Sequence, residues 1–200
     1  DLRVIIRKFA DRLNNMETIQ YLNSNKRKEI ALETKEIFVP LAHRLGMAKL
    51  KWELEDLSLK CLDLRAFNRI KKKIETSTKL NEDILSNSIK PIKTELNSYK
   101  IKSDIFGRYK SISSIHRKIE KSGKKFEEIY DLYAIRIIVD KIEECYLALG
   151  VIHSIYHPLQ DRFKDFIATP KTNGYQSIHT TVLTKDNRLT EFQIRTKDMD

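Results

Sequence analysis

The chain has 200 residues, 40% hydrophobic and 33% charged, a globular composition with material for one sizeable core, or one core plus a helical appendage. Lys and Arg number 38 against 28 Asp and Glu, and the net charge of +10 favours acidic partners such as nucleic acid, nucleotide phosphates or an anionic surface. Cys61 and Cys145 show no CxxC spacing, and no apolar run approaches the roughly 18 residues a bilayer span needs, so disulfide and transmembrane classes fall away and a cytoplasmic chain with reduced thiols is expected.

The opening segment DLRVIIRKFADRLNNMETIQYL has helical periodicity at Leu2, Ile5, Ile6, Phe9, Leu13, Met16, Ile19 and Leu22, without a preceding cap, and reads as a fragment of a longer protein. Asn23-Ser24-Asn25 breaks this helix. A second runs through Ile30, Thr34, Ile37, Phe38, Leu41 and Leu45, with Pro40 as a kink and Gly46 as terminator. Trp52 to Leu62 continue in helical style, as do residues 67 to 96, with interruptions predicted near Ser77 and at Pro91. The period then changes: Tyr99, Ile101, Ser103 and Ile105 alternate with Lys100, Lys102 and Asp104, which predicts a strand on a half-buried surface. A short helix over 111–121, a strong strand over 133–139, a helix over 141–156 and an antiparallel pair over 178–183 and 189–196 follow. The fold class is α+β: a helical N-terminal half, then a mixed sheet with flanking helices.

Four segments carry candidate chemistry. In GRYKSISSIHRKIEK (107–121), Gly107 ends a strand, a Ser caps the next helix, and Lys110, Ser114 and Lys118 fall at i, i+4 and i+8 on one face. Cations at a helix start oppose its dipole unless an anion sits there, so the segment is either a solvated basic helix or a phosphate site built from backbone N–H groups and two lysines. In IYDLYAIRIIV (129–139), Asp131 stands at the mouth of an apolar strand and Arg136 inside it. The pair is either a turn carboxylate and a structural ion pair, or a site where a strand-end carboxylate holds magnesium, which takes few protein oxygens. In LTEFQIRT (189–196), Glu191, Gln193 and Arg195 share one strand face; that face is solvent-facing unless Glu191 meets Asp131 to bind magnesium and activate a hydroxyl.

The fourth segment, RFKDFIATPKTNGYQSIHTT (162–181), gathers Arg162, Lys164, Lys171, Asn173, Tyr175, Gln176 and His179 around a turn. Tyr175 can stack on a base while its neighbours bind phosphates, and an RNA-binding loop would look similar. His153 and His157 stand at i, i+4 without a third ligand nearby, and read as helix-end surface residues. The acidic run in KWELEDLSLK reads as one charged helix face with Trp52 in the core.

Taken in order, GRYKSISSIHRKIEKSG, FEEIYDLYAIRIIV, CYLALGVIH, RFKDFIATPKTNGYQSIHTTV and EFQIRT resemble the synthetase domain of the RelA/SpoT family of alarmone enzymes. ADRLNNM and ETKEIFVPLAHRLGMAKLKWELEDLSLK resemble the end of that family's HD-type hydrolase domain and the helices joining the two. The resemblance implies three parts: 1–25 as the hydrolase remnant, 26–97 as linking helices, and 98–200 as a nucleotidyltransferase-like synthetase domain, truncated. It also implies magnesium-dependent transfer of pyrophosphate from ATP to the 3′-hydroxyl of GDP or GTP. On matching positions, Asp131 and Glu191 would hold magnesium, with Glu191 taking the hydroxyl proton. Arg108 would stack on adenine, and Lys110, Ser114 and Lys118 would handle ATP phosphates. Tyr175 would stack on guanine, with Lys171, Asn173, Gln176 and His179 lining the acceptor pocket. Arg162 and Lys164 give the basic RFKD motif of bifunctional members. Asp161 replaces the usual Gly before that motif, and Ser113 a frequent Tyr.

Asp11 resembles the last hydrolase metal ligand and Asn15 a base-contacting residue, yet the first histidine in the chain is His43, so no alarmone hydrolysis is expected of it. Ribosome contact would pass only through regulatory domains absent here. A basic RNA-binding module, or a catalytically idle regulatory fragment, is the competing reading.

Overall fold

The computed structural model describes residues 2–123, 126, 133–185 and 187–200. The chain divides into two compact units, one of residues 1–73 with 111–123 and the other of residues 74–110 with 124–200.

The first unit is helical. Helix α1 (Leu2–Glu17) ends in a short 3₁₀ turn over Ile19–Tyr21, and the expected break follows because the Asn23 side chain accepts the Lys26 N–H and so starts α2 (Ser24–Glu33). Pro40 acts on the chain before it. A π-helical turn over Thr34–Phe38 lets the Val39 N–H reach back to the Thr34 carbonyl, and α3 (Val39–Arg44) begins beyond it. Gly46 takes a left-handed φ of +72° at the end of this run, and α4 (Ala48–Leu62) follows. Phe9, Met16, Ile19, Ala31, Val39, Ala42 and Leu54 form the core, with Phe9 set edge-on against Phe38 at 5.9 Å. Trp52, expected in the core, is only half-buried; Leu54, Glu55 and Ser58 take the buried positions of α4 instead.

Helix α5 (Leu64–Ser98) spans 35 residues without the interruptions predicted near Ser77 and at Pro91. Proline removes one backbone hydrogen bond, but Ile92 and Leu96 beyond it are wholly buried, and burial of two such side chains at about 1.5–3 kcal/mol each holds the helix together. The predicted strand over 99–105 also moves. Lys100 adopts φ +58° and the Ile101 N–H bonds to the Leu96 carbonyl, so residues 99–101 close α5 in the manner of a left-handed C-terminal cap. The strand β1 starts later, at Asp104–Tyr109. Gly107, expected to end that strand, lies within it opposite Ile135, at a point where a Cβ would collide with the Leu85 side chain of α5.

The expected helices and strands follow, α6 (Ile112–Ser122, in the helical unit), β2 (Tyr133–Val139), α7 (Ile142–Ile155), β5 (Ile178–Leu183) and β6 (Leu189–Thr196), with two short strands that the sequence did not predict before β5, β3 (His157–Pro158) and β4 (Lys164–Asp165). The sheet order is β1-β2-β6-β5-β3, with β4 also on β5. Among the described strands only β2 and β6 run parallel to each other. Ile135, Ile137, Val139, Ile178, Val182, Phe192 and Ile194 alternate onto one face and pack with Cys145, Ala148, Val151 and Ile152 of α7, Tyr156 stacking on Phe192 at 6.4 Å. Among the described residues no helix is long and apolar enough to cross a membrane.

The start of α7 is sealed by Glu144, whose carboxylate accepts the N–H groups of Asp140 and Lys141, both at 3.0 Å. Replacing Glu144 by Ala is expected to lower stability by about 1 kcal/mol, seen as a shifted thermal midpoint with the fold unchanged.

Candidate active site

Strand alternation sends every second residue away from the core, and register decides which of them meet. Phe106 of β1 is opposite Arg136 and Arg108 opposite Ala134; Ala134 is level with Glu191 and Arg136 with Gln193; Gln193 is opposite His179 and Glu191 opposite Thr181. One sheet face therefore collects Arg108, Arg136, Glu191, Gln193, Arg195 and His179. This is the polar face expected of β6, but it is covered rather than solvent-facing: Arg136 and Arg195 are only 8% and 4% exposed.

Glu191 is the centre of a connected network. Its Oε1 is 3.0 Å from His179 Nδ1 and accepts from Gln193 Nε2 at 3.3 Å, and its Oε2 meets Lys110 Nζ at 3.3 Å. Burial alone would raise its pKa, but the His179 hydrogen bond, the Lys110 charge and Gln193 outweigh this and hold the carboxyl at about 2. His179 Nε2 reaches the Tyr175 hydroxyl at 2.7 Å, and Arg195 Nη2 donates to the same hydroxyl at 2.6 Å. Lys171 Nζ lies 4.4 Å from the Phe166 ring centroid and 5.0 Å from that of Tyr175, while Phe166 packs edge-on against both Tyr175 and His179. The turn before Tyr175 is made by Asn173, whose side chain accepts the Tyr175 N–H at 3.3 Å, and by Gly174 at φ +76°.

Beside this network lies a concentration of positive charge. Arg136 and Arg195 both ion-pair with one oxygen, Asp200 Oδ1, and each has a buried Nε–H that finds no acceptor among the described residues. Burial and then the neighbouring Arg136 and Arg195 bring Arg108 down to about 10; burial and then Arg195 lower Arg136. Guanidiniums forced together in this way favour an anionic ligand. Arg195 has no role in the sequence reading; Arg136, a charge inside the apolar strand YAIRIIV, makes the ion pair that was one of the two alternatives for it, with Asp200 as the partner.

Of the other candidates, Gln176 is half-buried between Tyr175 and β5, Lys164 is exposed and paired in register with His179, and Arg162 is exposed in the preceding 3₁₀ turn. Asp131 lies outside the described residues. Ser114 and Lys118 sit on α6 in the helical unit, where Ser111 caps the helix by accepting the Ser114 N–H. Asp11 and Asn15 are exposed on α1, one turn apart. His153, expected at the surface, is half-buried and 2.9 Å from Thr180 Oγ1, because α7 packs across β5.

Among the described residues no group of three or more His, Cys, Asp or Glu side chains is placed to hold a metal ion. Magnesium needs less: one or two carboxylates with water and phosphate supplying the rest. A carboxyl held ionised at about 2 fits that demand.

Residues 107–200 match the family described as a region found in RelA/SpoT proteins, and residues 1–48 match the HD domain. The chain is 46% identical over 201 aligned residues to a guanosine-3′,5′-bis(diphosphate) 3′-pyrophosphohydrolase of Spiroplasma citri, and 43% over 199 to the bifunctional (p)ppGpp synthase/hydrolase RelA of Mycobacterium tuberculosis; all of this chain is covered, but 27% of each relative. The chain thus spans about a quarter of the length of the curated relatives it matches. The solved structure of small alarmone synthetase 2 from Bacillus subtilis is similar at TM-score 0.51 and 30% identity, covering 64% of this chain and 73% of that one. The chain belongs to the RelA/SpoT family.

Proposed function

We propose that the sheet unit is the catalytic part of a pyrophosphotransferase that moves the β,γ-pyrophosphate of ATP to the 3′-hydroxyl of GDP or GTP in the cytoplasm, and that the full-length protein is bifunctional, with a hydrolase to which Asp11 and Asn15 belong. The observation that carries this reading is an ionised, half-buried Glu191 wired to Lys110, His179 and, through His179, to Tyr175 on a strongly cationic face. An RNA-binding surface has no use for a carboxylate at the centre of its basic face, because it repels phosphate.

Magnesium, when bound to Glu191 and Asp131, would neutralise charge on the transferring group. The chain's own residues do the rest. Lys110 is paired with Glu191; drawing Lys110 onto an ATP phosphate would remove a stabilising charge from the carboxylate and make it a better acceptor for the hydroxyl proton. Arg108, Arg136 and Arg195 meet the negative charge of the donor, Arg108 also offering its plane to adenine. The Tyr175 ring, backed by Phe166 and Lys171, presents a face for guanine, while Lys171, Asn173, Gln176 and His179 border the acceptor. Lys164 extends the basic border through its register with His179, and Arg162 lies just before it.

Incubating the full-length protein with ATP, GDP and magnesium tests the reading: a guanosine tetraphosphate product is expected, and RNA binding without any such product would overturn it. Tyr175→Ala is expected to raise KM for the guanine nucleotide roughly tenfold, the loss of one stacking contact. Tyr175→Phe, which keeps the ring, should leave that KM within a few-fold of the parent, as steady-state kinetics at saturating ATP would show.

A further inference from the structure

The loop that carries Lys171, Asn173 and Tyr175 leaves the sheet after Asp165 and rejoins it at Ile178. Strand β4 pairs only Lys164 and Asp165 with β5, less than an ordinary strand, so its ladder does little to fix the direction in which the chain departs. Asp165 fixes it instead. Its Oδ1 accepts the N–H groups of Ile167 and Ala168, both at 2.9 Å, and its Oδ2 accepts the Tyr146 hydroxyl of α7 at 3.0 Å. Between these ties the Phe166 N–H reaches the Ser177 carbonyl at 3.0 Å. Helix α7 is a firm support, because Cys145 beside Tyr146 is wholly buried in the core under the sheet.

What this turn delivers is Phe166. Its ring stands edge-on to Tyr175 at 6.0 Å and to His179 at 5.4 Å, and Lys171 Nζ lies 4.4 Å from its centroid. A pivot of the turn therefore moves the ring against which Tyr175, His179 and Lys171 all rest. Both oxygens of Asp165 are engaged within the chain, which makes it a support of the loop and not a ligand for nucleotide.

We infer that Asp165, held by Tyr146, is a positioning residue for the guanine nucleotide: it sets the direction of the loop and, through Phe166, the place of the Tyr175 ring. The inference rests on the function proposed above, in which Tyr175 meets guanine. Without the carboxylate the amides of Ile167 and Ala168 lose their acceptor, the turn opens, and Phe166 leaves the ring it supports. ATP, met by Lys110 and the arginines of β1, β2 and β6, takes no part in this turn. The competing account is that Asp165 serves general stability alone, so that its removal weakens both nucleotides alike.

The test compares Asp165→Ala, Asp165→Asn and Tyr146→Phe with the parent in the full-length protein, by KM for each nucleotide and by amide hydrogen exchange of residues 166–179 with and without GDP. Asp165→Ala is expected to raise KM for GDP roughly tenfold, the effect of leaving two loop amides without their acceptor, and to reduce the protection that GDP gives the loop, with KM for ATP unchanged. Asp165→Asn keeps an oxygen for the two amides and should restore most of the loss. Tyr146→Phe removes one hydrogen bond and no backbone contact; it should raise KM for GDP about threefold, and it decides the matter alone if Asp165→Ala does not fold. Equal losses for both nucleotides, an unchanged KM for GDP in Asp165→Ala and Tyr146→Phe, or a parent loop that GDP does not protect, would overturn the inference. A parent whose loop is protected by GDP but which transfers no pyrophosphate would sink the proposed reaction instead, and the protection measured in the variants would still judge Asp165.

Discussion

Glu191→Gln is expected to lower turnover by on the order of 10²- to 10³-fold while leaving nucleotide binding nearly intact. The substitution keeps size and an acceptor for His179, but it removes the charge that would hold magnesium and the oxygen that would take the hydroxyl proton. Single-turnover kinetics with saturating ATP and GDP, set beside calorimetric affinities, separate the two effects; a variant with full turnover would remove Glu191 from the chemistry. The same carboxyl gives a signature in stability. Its folded pKa of about 2 lies below the ordinary 4.5, so it contributes stability, on the order of 3 kcal/mol, that is fully present above about pH 5 and is lost as pH falls toward 2. Urea unfolding across that range should show the parent losing more stability than Glu191→Gln.

Lys110→Ala is expected to cost on the order of 10²-fold in kcat/KM for ATP, comparable to removing one electrostatic stabiliser from a preorganised site. Lys110 stands 3.3 Å from Glu191 Oε2, so its loss has a second effect: the carboxyl loses a compensating charge and its pKa climbs. In the variant the acid loss of stability still sets in below about pH 5, as the unfolded carboxyl protonates, but it is complete at a higher pH and is smaller in total. Steady-state kinetics with ATP varied, together with the urea series, check both. A variant with parental kcat/KM would show that Lys110 serves only as a partner to Glu191.

The ends of β2, β5 and β6 were readable to the residue because apolar side chains alternate along each; α1 to α4 were readable as helical, from an apolar period of 3.6 with Asn23 and Gly46 as punctuation, but not in their ends, since α4 begins at Ala48 and a π-helical turn separates α2 from α3. Pro91 and the alternation at residues 99–105 misled for one reason: local pattern does not contain the core into which Ile92 and Leu96 are pressed, nor the left-handed turn at Lys100 that ends α5. Tyr146 was passed over because its tie to Asp165, 19 residues on in another element, carries no mark in sequence.

By itself the sequence carries the net positive charge and the lysines of residues 107–121 and 162–181 that favour an acidic partner, and the residue types of the candidate site in Glu191, Tyr175 and His179. Only tertiary structure decided which of them touch. Contact between Lys110, His179 and Glu191 depends on strands brought side by side in one register, and the concentration of Arg108, Arg136 and Arg195 on that face exists only once the other face has been buried. Spacing along a chain specifies the period of each element, but distance between elements is set by how their apolar faces pack.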